Sequence, residues 1–358
     1  AMNHDIIQKL LDQKDISKIT LQASFKNFIK VVFFYINGVD FTFTPSHDKV
    51  IKALENIVFG KNEKRNLAVS VAVGFGKSVL CQYFIAWTYC IHKNQTYLYT
   101  SHSKENIKKF SKEIKAILES DFIKKLFDIE LQDDERSKDN WSIKGAIQRT
   151  GLRATTIDSG ITGADAGNRV IKDEQGKPLY SGALISDDLI DVSNMNNDLE
   201  KEKIVDFYIK KGATRRRTEI TPSIIIMQRL TVDDFIAYLK NNEAEDWNFI
   251  EIPVLDENDN SIWEQAYPKE KMIKMRDHSG TAMRELFYSQ YQQQPIASAF
   301  YTFKEEWLQF YGGWNNSMIG NIYITVDPAH SKKKDSDYTA ICAIALCEDQ
   351  NYYLVDMV

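Results

Sequence analysis

The run Leu67-Ala-Val-Ser-Val-Ala-Val73, then Gly74-Phe75-Gly76-Lys77-Ser78, then a near-apolar stretch to Ile91, constrains this chain more than any other segment. A continuous apolar run of strand length predicts a strand buried on both faces, and the longer apolar stretch after it predicts a buried helix. A glycine loop between two such elements turns backbone N–H groups and the positive end of the helix onto one spot, which is an anion site. In the pattern G-x-x-x-x-G-K-[ST] the lysine neutralises the β- and γ-phosphates and the final hydroxyl meets Mg²⁺; Lys77 and Ser78 take these places, with Gly74, Phe75 and Gly76 as the loop. Val71 stands where the pattern has its first glycine, so the reading rests on context: strand before, helix after, acids downstream.

The rest of the chain continues strand–helix alternation. Residues 5 to 60 read as helical pieces leading in, with Phe25, Phe28, Ile29 and Val32 on one face and Val50, Ile51, Leu54 and Ile57 on another. Thr96 to Thr100 reads as a second strand, and Ser103 caps a helix that carries Ile107, Phe110, Ile114, Ile117 and Leu118. Ala183 to Ile185 and Ser223 to Met227 read as further buried strands. Alternation of this kind predicts an α/β fold with a mostly parallel sheet. A polar, glutamine-rich stretch from Tyr288 to Pro295 puts a domain boundary near Ala297. Beyond it, strands are expected at Ile322 to Val326, Tyr338 to Leu346 and Tyr352 to Val355, with Lys332-Lys333-Lys334 at a hairpin tip.

Composition narrows the functional classes. With 45 Lys plus Arg against 50 Asp plus Glu the net charge is −5, so a polyanion partner must meet local basic patches. The longest near-apolar stretch, Val79 to Ile91, falls short of the roughly 18 residues a membrane span requires. No basic segment followed by an apolar one opens the chain, which leads to an expected cytoplasmic address. Cys81, Cys90, Cys342 and Cys347 show no C-x-x-C spacing and are expected in the core.

Asp187 and Asp188 end an apolar strand 110 residues after Lys77. A phosphate-loop enzyme requires one carboxylate for Mg²⁺ and another to orient or deprotonate water, and adjacent strand-end residues can supply both. Phosphoryl transfer also requires an arginine near the γ-phosphate, for which Arg153, Arg169 and Arg229 are candidates, Arg169 favoured because it follows a glycine-rich turn. Lys210 and Lys211 with Arg215, Arg216 and Arg217 make the least ordinary basic cluster, suited to phosphate-backbone contact rather than base readout. Asp327 ends a strand of the second domain with Asp337 and Asp356 nearby in sequence, as a two-metal nucleic-acid site would require.

Placed in this order, these residues resemble the large terminase subunit of tailed bacteriophages. The resemblance runs through Ser24-Phe25-Lys26-Asn27-Phe28, His47, Gly76-Lys77-Ser78, Tyr99-Thr100-Ser101, Trp141, Ile161-Thr162-Gly163, Ile185-Ser186-Asp187-Asp188 and Met227 to Asp234. It continues through Ser289 to Pro295, Thr325-Val326-Asp327-Pro328 and Ser336-Asp337-Tyr338-Thr339. It implies an ASCE-type P-loop ATPase over residues 1–300 and, over 301–358, a linker and the incomplete beginning of a ribonuclease H-like nuclease. Lys77 and Ser78 match the Walker A motif, Asp187 the Walker B metal acid, Asp188 the catalytic carboxylate, and Asp327 the first nuclease metal ligand. Gln228-Arg229 falls in the coupling region, and His47 and Gln22 are the candidates for adenine contact.

The sequence departs from the family's pattern at three places. Gly74 stands where relatives commonly carry an arginine, which shifts the arginine role to Arg169 or Arg153 of an adjacent subunit. Thr231-Val232 replaces a frequent His-Glu, and Asp188 replaces the commoner Glu, one methylene longer. The resemblance further implies ATP and Mg²⁺ as cofactors, Mg²⁺ or Mn²⁺ for the nuclease part, and a host-cytoplasmic location outside the mature virion. Its implied partners are double-stranded viral DNA, a portal protein, a small terminase subunit and further copies of the chain, as a pentamer on the portal. The other nuclease acids of relatives lie beyond the sequence given, so this polypeptide alone is expected not to cut DNA. Two rival readings stand beside the packaging motor: a superfamily 2-like helicase, and a catalytically silent docking protein.

Overall fold

β1 (Asn66–Val71) is buried at all six positions, with Leu67, Val69 and Val71 packed into one core and Ala68 into another, so the strand is covered on both faces. In the computed structural model it lies in a seven-stranded sheet with β2 (Thr96–Ser101), β3 (Asn140–Trp141), β4 (Gly151–Thr156), β5 (Leu184–Asp187), β6 (Ser223–Met227) and β7 (Trp247–Ile252), in the order β3-β4-β2-β5-β6-β1-β7. Six strands run parallel and only β3, at the edge, is antiparallel. The described residues are 2–132, 137, 139–147, 150–159, 164–278, 280–296, 310–311, 319–328, 339–349 and 351–357. They fall into two units, Ala1–Ala297 and Ser298–Val358. Ile161-Thr162-Gly163, Lys332-Lys333-Lys334 and Ser336-Asp337-Tyr338 lie outside them.

The predicted strands at 67, 96, 183 and 223 form within two residues of their expected bounds, because each is a short apolar run feeding a buried parallel sheet. β4 and β7 were not anticipated. β4 carries Arg153 and three threonine or glycine positions, and β7 mixes Asn248 and Glu251 with its apolar residues, so neither shows a clean period.

Helices α1 (His4–Asp12), α2 (Lys14–Ala23), α3 (Phe25–Asn37) and α4 (Pro45–Val58) precede the sheet. Ser24 caps α3, and Gly38 ends it with φ 71°. α5 (Lys77–Ile91) is buried from Leu80 to Cys90, as a helix apolar on all sides must be. α6 (Lys104–Leu118) begins at the expected Ser103 cap, and α7 (Asp121–Phe127) follows. Phe25, Phe84 and Trp87 stack between α3 and α5 in the larger core. On the opposite sheet face, α8 (Asp198–Asp206), α9 (Phe235–Asn242) and a π-helical stretch, Phe207–Gly212, cover Leu98, Leu184 and Ile225. α10 (Lys269–Arg276) and a second π-helical stretch, Phe287–Tyr291, which continues α11 (Thr281–Leu286), close a small third core around Ala72, Val254, Tyr267 and Phe287. Cys81, Cys90 and Cys347 are buried, Cys342 is half-buried, and all four are free thiols.

In the second unit, β8 (Ile319–Asp327), β9 (Ala340–Cys347) and β10 (Tyr352–Met357) form an antiparallel sheet in the order β10-β9-β8. Ala345 and Cys347 are buried within it, whereas Ile322, Ile324, Leu354 and Met357 are exposed.

Candidate functional site

Parallel strands all deliver their carboxyl ends to one edge of the sheet, and the glycine loop leaves β1 there. Ala72 is buried, Phe75 N–H closes a turn onto the Ala72 carbonyl at 3.3 Å, and Gly74 and Gly76 adopt φ of 86° and 89°. Gly76 is the residue before α5, so the helix begins at Lys77 with its free N–H groups facing the loop.

β6 separates β1 from β5, yet the acids at the end of β5 meet the start of α5. Lys77 Nζ lies 2.9 Å from Asp188 Oδ1 and 2.8 Å from Oδ2, while Ser78 Oγ donates to Asp187 Oδ2 at 3.0 Å. Tyr99 OH, from β2, donates to the same Oδ2 at 3.1 Å. Asp187 Oδ1 is buried without a hydrogen-bond partner. Burial first, and the charge of Asp188 second, push the Asp187 carboxyl up to about 6. The sheet therefore brings Lys77, Ser78, Asp187 and Asp188 together, as the spacing argument required.

Asp188 itself takes φ 42°, a left-handed conformation uncommon outside glycine. Its N–H donates to the Ile226 carbonyl at 3.0 Å, and its carbonyl accepts from His102 N–H at 3.2 Å and His102 Nδ1 at 2.6 Å. Neighbouring strands thus over-determine the strained residue. Beside it lies a cavity of about 120 Å³ lined by His102, Asp188, Asp191, Gln228 and Leu230 among others. Gln228 Oε1 is buried there without a partner.

Three expected roles are corrected by the geometry, and a fourth residue, Arg169, is placed away from the glycine loop of its own chain. Gln22 Nε2 donates to the Cys90 carbonyl at the far end of α5, about 20 Å along the helix from Lys77, so it does not meet a base bound at the loop. His47 is fully buried; Nδ1 accepts from Thr44 N–H at 3.1 Å, which leaves Nε2–H to donate to the Phe75 carbonyl at 3.0 Å, and no edge remains for adenine. Arg229 is 8% exposed and clamped, with Nε on Asp234 at 2.9 Å and Nη1 on Glu251 at 2.8 Å, so it does not point at a phosphate. Arg169 Nε donates to the Arg217 carbonyl at 2.7 Å, and Gly167, two residues earlier, bonds Thr96 at the start of β2. Arg169 therefore sits at the opposite ends of the strands, about 17–20 Å from the loop across a six-residue strand.

The basic cluster occupies that same opposite edge. Arg216 Nη1 donates to Asn66 Oδ1 at 3.1 Å at the start of β1, Arg217 pairs with Asp165, and Lys210 pairs with Asp206 at 2.6 Å. Lys211 is exposed and Arg215 is half-buried. Arg153 lies within β4, two strands from β5. In the second unit, Asp327 pairs with Ala340 and Asp356 with Ala343 on the other side of β9. Among the described residues, no group of three His, Cys, Asp or Glu is placed to hold a metal ion.

Sequence reasoning gave no role to Tyr99, His102, Tyr267 or Gln293, although Tyr99 and Gln293 lie in segments that carried the resemblance. Tyr267 OH donates to the Val73 carbonyl at 3.0 Å, and Gln293 Oε1 accepts from Arg229 N–H at 2.9 Å. Tyr99 and His102 had a readable signal, a polar group at the carboxyl end of a buried strand. Tyr267 had none, since only the third core carries it to the loop, and Gln293 was marked only by lying in the Ser289 to Pro295 segment.

The fold and this site define an α/β protein with a mostly parallel sheet and a strand–glycine loop–helix unit facing two carboxylates. The solved structures similar to it include phage large terminases. That of bacteriophage HK97 is 13% identical with a TM-score of 0.46, covering 94% of this chain and 67% of its own. The large terminase of a thermophilic bacteriophage, in complex with ADP, is 10% identical with a TM-score of 0.42, covering 88% and 68%. The ATPase domain of the Thermus phage P74-26 large terminase is 9% identical with a TM-score of 0.42, covering 74% and 98%. No family model and no curated protein matches the chain. At such identities and TM-scores, what the chain does must be argued from its own residues.

Proposed function

We propose that the first unit is a Mg²⁺-ATP hydrolase and that the chain is part of a phage large terminase, its turnover driving double-stranded DNA into a procapsid. The observation that carries the reading is the meeting of Lys77 with Asp188 and of Ser78 with Asp187 at the mouth of a glycine loop. An anion-attracting loop alone binds phosphate; the same loop against two acids is equipped to hydrolyse it.

The donor set fits Mg²⁺. Asp187 keeps one buried oxygen without a partner and shares the other with Ser78 Oγ, which suits a hard cation that prefers oxygen. Mg²⁺ held by Ser78 and Asp187 would neutralise charge on the β- and γ-phosphates. Lys77, now 11% exposed and paired with Asp188, exchanges that carboxylate for the phosphates of an entering nucleotide. Asp188 is thereby released to accept the proton of the attacking water, and the unpartnered Oε1 of Gln228, beside the same cavity, orients that water. An arginine from a neighbouring copy, Arg169 or Arg153, stabilises charge in this scheme, since within the chain Arg229 is clamped by two acids and Arg169 lies at the opposite strand ends.

On the same reading, Lys210, Lys211 and Arg215 to Arg217 touch the DNA backbone, and the chain works in the host cytoplasm as a ring on a portal protein with a small subunit. Asp327 is the first metal ligand of a ribonuclease H-like unit. The test is DNA-stimulated ATP turnover: Asp188→Asn is expected to bind ATP and cut turnover by about 100-fold or more. Full turnover in that variant would remove Asp188 from the chemistry, and strand separation by the parent chain would favour a helicase instead.

A further inference from the structure

A glycine loop offers its N–H groups to a ligand only if its carbonyls are held elsewhere, and here two of them are. The Phe75 carbonyl accepts from His47 Nε2 at 3.0 Å, and the Val73 carbonyl accepts from Tyr267 OH at 3.0 Å. His47 comes from the first turn of α4, where its Nδ1 is fixed by Thr44 in a capping arrangement that normally uses Glu or Gln. Its ring also stacks on Phe75, with centroids 4.1 Å apart and planes 11° apart. Tyr267 comes from the segment after β7, about 190 residues later in the chain. Trp263 joins the two, edge-on to His47 at 5.2 Å and to Tyr267 at 6.4 Å.

Neither contact is needed to cap a helix end or to pair a strand of the sheet. Gly74 and Gly76, with φ of 86° and 89°, have no atom closer than 3.9 Å to the place a Cβ would take. Close packing at the two glycines thus does not impose the loop's shape; the buried Phe75 side chain anchors it, and the two hydrogen bonds fix the orientation of its carbonyls. Burial holds the His47 imidazole below its ordinary titration range, so the donor stays neutral with its proton on Nε2.

We infer that His47 and Tyr267 are positioning residues that clamp the loop by its carbonyls and so set the affinity for a nucleoside polyphosphate. The inference rests on the nucleotide reading above and adds a second source of affinity that lies outside the loop and outside its glycine–lysine–serine sequence. The clamp has one jaw before the loop in sequence and one jaw far after it, so nucleotide affinity depends on the segment that carries Tyr267 being docked.

The experiment measures displacement of a fluorescent ADP by ADP·Mg²⁺ in the parent chain, Tyr267→Phe, His47→Asn and His47→Gln, with the unfolding midpoint of each ligand-free protein. Tyr267→Phe deletes one hydroxyl and keeps the ring. His47→Asn withdraws the donor from Phe75, and His47→Gln restores its reach. Tyr267→Phe and His47→Asn are expected to weaken ADP about 10-fold with turnover at saturating ATP within about twofold of the parent, and His47→Gln to recover most of the loss. ADP affinity unchanged in Tyr267→Phe, or lost only in proportion to a lowered midpoint, would overturn the clamp. Failure of the parent chain to bind ADP·Mg²⁺ would instead fell the nucleotide reading, and the clamp with it.

Discussion

The two ends of the central sheet use glycine for opposite purposes. Where the strands begin, Gly182 (φ 120°) and Gly167 (φ 75°) are pressed against neighbours: a Cβ on Gly182 would overlap the Thr96 carbonyl, and one on Gly167 would overlap the Thr221 side chain. Where the strands end, Gly76 faces open space and Gly74 meets only the Tyr267 hydroxyl, at 3.9 Å. The charged groups differ in the same sense. At the entry end the arginines are matched, Arg217 to Asp165 and Arg216 to Asn66, although Gln95 Oε1, Thr96 Oγ1 and Ser223 Oγ are buried there without partners; at the exit end the unpartnered atoms include an acid, Asp187 Oδ1, and Gln228 Oε1 beside a cavity, and Asp188 is held left-handed. The entry end is packed closely against its own backbone and side chains; the exit end leaves open space over a glycine loop beside two carboxylates, and that space is where the functional reading lies.

The contrast is broken most severely by adding a methyl group to each end. Gly182→Ala is expected to cost about 3 kcal/mol or more, enough to abolish folding of a marginal domain, because steric overlap with backbone adds to the strain of a positive φ; a denaturant titration reads it. Gly76→Ala carries only the left-handed penalty of about 1–2 kcal/mol, yet its methyl group stands in the open space over the loop. Its loss of nucleotide affinity should therefore exceed its loss of stability. Equal losses at the two positions would end the comparison.

A pH series sharpens it further. Asp187 is pushed up to about 6 from an ordinary 3.8, so between these values the folded chain keeps a proton that the unfolded chain has released. Stability of the metal-free protein is expected to fall as pH rises from about 4 to about 6 and to level off above, by this group's contribution. A cation binding at Asp187 must expel that proton, so Mg²⁺-dependent nucleotide affinity should rise over the same window, and Asp187→Asn should flatten the rise. The smallest effect belongs to the entry end: Arg217→Ala, which removes a partly exposed pair with Asp165, is expected to change stability by less than about 1 kcal/mol and to leave ATP turnover of the isolated chain unaltered.

What was legible beforehand follows the same division. Lys77, Ser78, Asp187 and Asp188 were readable because each terminates or follows an apolar run whose period fixes its place in a parallel sheet. His47 was readable as a notable residue but not as a structural one, since its role depends on a carbonyl 28 positions away in the chain. Arg229 was misassigned because an arginine after a strand gives no hint of its partners, and here Asp234 and Glu251 had already taken it. β4 and β7 escaped because β7 is an edge strand and β4 has only the two-residue β3 outside it, so both carry polar residues that erase the pattern.

The central claim is that the loop and the two acids form one nucleotide site. Calorimetric titration of a non-hydrolysable ATP analogue with Mg²⁺ into the parent chain and into Lys77→Ala tests it most directly. The account predicts saturable binding to the parent and a loss of at least about 10-fold in the variant, with the fold retained. A parent chain that takes up no nucleotide, or a variant that binds as tightly as the parent, would contradict it.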